Sequence, residues 1–66
     1  MTIQLNGKPA ELSAPISIAQ FLKEKDLPCD AVAVEYNGEI LSKEAFASSI
    51  LQEGDVLEVL RFVGGG

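Results

Sequence analysis

The chain offers few side chains that could do chemistry. Among its 66 residues there is no histidine and a single cysteine, Cys29. A nucleophile is usually activated by a base within hydrogen-bond reach, and the commonest such base is absent. Cys29 is followed by Asp30, whose negative charge disfavours a thiolate beside it, so Cys29 reads as a small apolar filler. Glu53 and Asp55 flank Gly54 and read as the polar residues of a turn, with no partner that would make either a general acid or base. One cysteine without histidine supplies neither an internal disulfide nor a Cys/His zinc cage. No phosphate-loop or dinucleotide-binding glycine pattern occurs.

What remains is Gly64-Gly65-Gly66. Two readings stand. Glycine-rich ends are commonly frayed segments or linkers. Alternatively, the carboxylate of Gly66 is an acyl group awaiting activation. Residues without side chains pass through a narrow tunnel, offer their N–H and C=O groups to its walls and leave the acyl carbon unhindered. At about 3.3 Å per extended residue, Val63 to Gly66 project by roughly 13 Å, enough to reach a buried active site while a globular body stays outside.

The rest of the chain must hold that tail. Asn6-Gly7 is a hairpin signal, because both central residues of a type I′ turn need positive φ. Placing them at the turn pairs Leu5 with Lys8, Ile3 with Ala10 and Met1 with Leu12, so the apolar residues share one face. Ser17 with Gln20 three residues on predicts a capping box, stapled by Ile16 and Phe21. Ile18, Phe21, Leu22 and the stem of Lys25 form the helix's buried stripe, and Leu27-Pro28 is expected to stop it. Ala31 to Tyr36 alternates as a strand with Val32, Val34 and Tyr36 on one side, ending at Asn37-Gly38. Glu39-Ile40-Leu41 returns to Ser42, expected to cap a short helical turn stapled by Leu41 and Phe46. Gly54 supplies a positive φ before the last strand, Val56 to Val63. With Leu57 and Val59 inward, Leu60 and Phe62 are left outside near the tail, a candidate docking patch at its base. The competing expectation is that Phe62 folds back onto the core from an edge strand. The order of elements predicts an α+β domain over residues 1–63, with a mixed sheet of four to five strands, one main helix packed across it, and a flexible glycine tail over 64–66.

The net charge of −5 and the scattering of five basic residues argue against a nucleic-acid partner. No apolar run approaches the roughly 20 residues of a membrane span, and the first residues lack a secretory leader pattern, so the expectation is a cytoplasmic protein off the membrane.

The chain resembles the ThiS-type sulfur carriers of thiamin biosynthesis, members of the β-grasp family to which ubiquitin belongs. The likeness covers its whole length. It rests on Ile3 to Gly7 opening the hairpin, Asn37-Gly38-Glu39 followed by Ile40-Leu41, an aromatic at Phe46, Gly54-Asp55 before the last strand, and terminal Gly65-Gly66. Two departures are Ser42-Lys43, where proline and arginine are frequent, and Phe46 in place of tryptophan. The resemblance implies that the chain is not an enzyme and binds no cofactor or metal. An adenylating enzyme of the ubiquitin-activating type would use ATP and Mg to form an acyl-adenylate on Gly66. Sulfur from a cysteine desulfurase or related donor would convert it to a thiocarboxylate, and thiazole synthase would accept that sulfur. Gly64 and Gly65 would thread into partner active sites, and Leu60, Phe62 and Val63 would dock. Similar chains serve as the small subunit of molybdopterin synthase or as ubiquitin-like modifiers, and these are the alternatives.

Overall fold

In the computed structural model, which describes residues 1–62, Asn6 and Gly7 have φ of 52° and 82°. This is the left-handed pair a two-residue type I′ hairpin requires. It joins β1 (Thr2–Leu5) to β2 (Lys8–Glu11) in the register expected from alternation, with Ile3 opposite Ala10 and Leu5 opposite Lys8. The pairing continues to the end of the chain, where the Met1 ammonium donates to the Leu12 carbonyl at 2.8 Å and the Leu12 N–H to the Met1 carbonyl at 2.7 Å.

The helix α1 (Ile18–Glu24) starts where the sequence places it, with Ser17 Oγ accepting the Gln20 N–H at 3.0 Å. Only this half of the capping box is made: the Gln20 amide turns forward and donates to Glu24 at 3.3 Å. The stop differs too. Leu27 N–H bonds to the Leu22 carbonyl and Asp26 N–H to the Lys23 carbonyl, and Asp26 has φ 59°. These two bonds and a left-handed residue form a Schellman cap, so the helix closes before Pro28 can act on it. Lys25 follows the helix as its C-cap and is exposed, so it stands outside the buried stripe expected for it, with its ammonium 5.7 Å from the centre of the Phe21 ring.

A 3-10 turn (Cys29–Ala31) takes Ala31 out of the strand expected there, and β3 runs Val32–Tyr36. Asn37 and Gly38, with φ 50° and 88°, make a second I′ turn into β4 (Glu39–Leu41). The following 3-10 turn (Lys43–Ala45) begins after Ser42, but the Ser42 side chain caps nothing. Phe46 is nevertheless buried, so that turn is held by its aromatic residue rather than by its cap.

The last strand, β5 (Val56–Arg61), lies in the middle of the sheet, whose order is β2-β1-β5-β3-β4. It runs parallel to β1 and antiparallel to β3. Ile18, Phe21 and Leu22 of the helix cluster with Ile3, Val34, Phe46, Leu51, Leu57 and Val59 in one core, the helix covering a single face of the sheet. This mixed sheet with a helix across it is the β-grasp arrangement.

Candidate functional site at the root of the glycine tail

The candidate site begins with the strand that leads to the glycines. Along β5, Leu57 is 0% and Val59 9% exposed, whereas Leu60 is 67% exposed. Period-two alternation therefore anchors one face of the strand in the core and presents the other outward. Phe62 continues the pairing through its backbone, its N–H donating to the Ala31 carbonyl at 2.8 Å, while its ring stays 54% exposed. The alternative in which Phe62 folds onto the core is thus overturned. It assumed an edge strand free to turn, and β5 is held from both sides.

Both asparagines of the hairpin turns contribute to that hold, a role sequence reading missed. Asn6 Oδ1 accepts the Val59 N–H at 2.7 Å and its Nδ2 donates to the Val59 carbonyl at 3.2 Å. From the other side, Asn37 Oδ1 accepts the Val56 N–H at 2.8 Å. Each turn side chain extends a pairing that its own backbone begins, the Asn6 N–H donating to the Leu57 carbonyl at 2.9 Å and the Asn37 N–H to the Val56 carbonyl at 2.8 Å. The signal available in sequence was the choice of asparagine over aspartate or glycine, since only its amide both donates and accepts.

At the start of β5, Asp55 gathers three donors. It accepts the Tyr36 hydroxyl at 2.7 Å, the Gln52 N–H at 2.7 Å and the Asn37 amide at 3.2 Å. Burial by itself pushes its carboxyl up, but the Gln52, Tyr36 and Asn37 bonds outweigh it and hold the group below the usual carboxylate range. The bond to Asp55, with burial and the nearby charge, raises the Tyr36 hydroxyl in turn. Glu53 accepts the Thr2 N–H at 2.9 Å, so both acids of this turn are structural, as expected. Cys29 is half-buried beside Leu27 and Arg61, in keeping with a filler role.

Of the six residues singled out for the tail, Leu60 and Phe62 lie exposed at the end of β5; Val63, Gly64, Gly65 and Gly66 lie outside the described residues. Among the described residues no polar or charged side chain is buried, and no helix is long and apolar enough to cross a membrane.

A β-grasp sheet whose central strand runs toward a glycine run, with its outward apolar side chains uncovered, defines a small ubiquitin-like protein. A model of the ThiS family matches residues 3–66, and the chain belongs to that family. It is 38% identical over 65 residues to the sulfur carrier protein ThiS of Bacillus subtilis (strain 168), covering 97% of this chain and 98% of the relative. The thiamine biosynthesis protein ThiS of Geobacter metallireducens superposes with a TM-score of 0.85 at 35% identity, over 100% of both chains. A third relative, the thiazole synthase of Paramagnetospirillum magneticum, is 36% identical over all 66 residues, which make up 20% of that longer protein.

Proposed function

We propose that the chain carries sulfur for thiazole formation in thiamin biosynthesis on the carboxylate of Gly66. In this reading the carboxylate attacks the α-phosphorus of ATP in an adenylating partner that holds Mg, releasing pyrophosphate and leaving an acyl-adenylate. A persulfide from a cysteine desulfurase or related donor attacks the acyl carbon and expels AMP. A thiol reductant then cleaves the remaining S–S bond to leave the thiocarboxylate. Its sulfur, a softer nucleophile than oxygen, attacks a carbonyl carbon of the acceptor held by thiazole synthase; the oxygen displaced from that carbon moves onto the Gly66 acyl carbon as sulfur leaves it, and Gly66 returns as carboxylate. Gly64 and Gly65 give passage into the partner sites, and Leu60, Phe62 and Val63 give docking.

The observation that carries this reading is the division of β5, with Leu57 and Val59 sealed in the core while Leu60 and Phe62 stand exposed on the way to the glycines. Family membership supports the sulfur-carrier role, and a match to the whole chain inside proteins named thiazole synthase supports that enzyme as partner. The catalytic groups for every step belong to the partners, and this chain contributes the acyl group and the surface that delivers it.

Mass spectrometry of the protein purified from its native host tests the proposal. One carboxylate oxygen replaced by sulfur is the expected result. Lysine-linked adducts would instead make the chain a modifier, and an unmodified terminus under thiamin limitation would make the tail inert.

A further inference from the structure

The outer face of the sheet, opposite the helix, carries more than Leu60. Strand pairing sets Glu58 of β5 directly opposite Glu35 of β3, and Glu35 directly opposite Ile40 of β4, so the three form one row across the sheet. One step along, Leu60 lies opposite Ala33. Ile40 is 77% exposed, more than any other large apolar side chain among the described residues. Together with Asn6 these residues line a shallow groove of about 590 Å³.

Two features of this row are unfavourable in the free protein. Like charges directly opposite on neighbouring strands repel. Among the described residues neither glutamate has an ion-pair partner: the ion pair there joins Lys43 to Asp30. Arg61 shares the parity of Leu57 and Val59 and lines a cleft on the helix side with Lys23, away from this row. The flanking Ile40 and Leu60 are uncovered as well. Apolar side chains around an uncompensated pair of carboxylates match a partner that brings one cation set between apolar contacts. An anionic membrane or nucleic-acid surface would be repelled by the same carboxylates and by the net charge of −5.

We infer that the Glu35–Glu58 pair, framed by Ile40 and Leu60, receives an arginine or lysine side chain of thiazole synthase, and so decides which protein surface this carrier accepts. The inference rests on the docking role proposed for Leu60. A guanidinium or ammonium between the two carboxylates replaces repulsion with two charge-assisted hydrogen bonds, while Ile40 and Leu60 exclude water around it. The pair then acts against the stability of the free chain and in favour of the complex.

That opposition in sign is the test. The double variant Glu35→Gln, Glu58→Gln and the single variant Leu60→Asp are compared with the unaltered chain for thermal midpoint and for affinity to the host's thiazole synthase at low and high salt. The double variant is expected to keep or raise its thermal midpoint, to bind roughly tenfold more weakly at low salt, and to lose most of the salt dependence of binding. Binding as tight as that of the unaltered chain, or a lowered thermal midpoint, overturns the inference. Leu60→Asp separates the two layers. If it alone weakens binding, the docking face stands and the cation assignment fails; if it binds normally, the docking reading itself fails.

Discussion

Asp55 is the residue on which the approach to β5 turns. Its three hydrogen bonds join the β3–β4 turn to the loop before β5, and Asp55→Ala is expected to cost about 2 kcal/mol, measured by denaturant unfolding. Because its folded carboxyl titrates below the ordinary range, this contribution is complete above that range. It is lost as pH falls below 3.8 and through the folded value. Tyr36 runs the other way: its raised hydroxyl supports the fold below pH 10.0 and ceases to do so as pH rises through the folded value. Unfolding curves across both limits check the two signs, and the acid loss should vanish in Asp55→Asn. Asn6→Gly isolates a second contact. Glycine keeps the positive φ of the turn but removes both bonds to Val59, so a loss of about 1–2 kcal/mol measures the clamp apart from the turn. The turns were legible in sequence because Asn-Gly has a strong local preference. The clamps were not, because they join Asn6 to Val59, 53 positions apart, and depend on strand order.

Among the elements, β5 carries the account. Its alternation was readable from V-L-E-V-L-R, and so was the exposure of Leu60, but its central place in the sheet was not. A parallel neighbour such as β1 leaves no local turn signal, whereas the two antiparallel hairpins announce themselves. Ile40 was within reach. A two-residue turn at Asn37-Gly38 sets Glu35 opposite Ile40, and carrying the alternation of β3 through that turn puts Ile40 on the outer face. The helix stop was read from Pro28, yet backbone bonds closed the cap earlier, at an aspartate. Asp26 bears a left-handed φ and a negative charge at the helix C-terminus, both unfavourable. Asp26→Gly is therefore expected to stabilise the protein by about 0.5–1 kcal/mol, visible as a higher thermal midpoint.

As a whole molecule, the protein joins a packed body over the described residues to the glycine run proposed to carry the sulfur. The body buries Leu57, Ile18, Leu22 and Leu51 completely, and among the described residues it buries no polar side chain. The chain belongs to a family of small sulfur carriers. The central claim, that the carboxylate of Gly66 is the group that carries sulfur, is tested most directly by deleting Gly66. The shortened and full-length proteins would be incubated with ATP, Mg, the host's adenylating enzyme, a cysteine desulfurase, cysteine as sulfur source and a thiol reductant, and the intact masses recorded. The account predicts a thiocarboxylate on the full-length chain and none on the shortened one, with unchanged thermal midpoints. A shortened chain that still gained the thiocarboxylate, or still supplied sulfur to thiazole synthase, would contradict it.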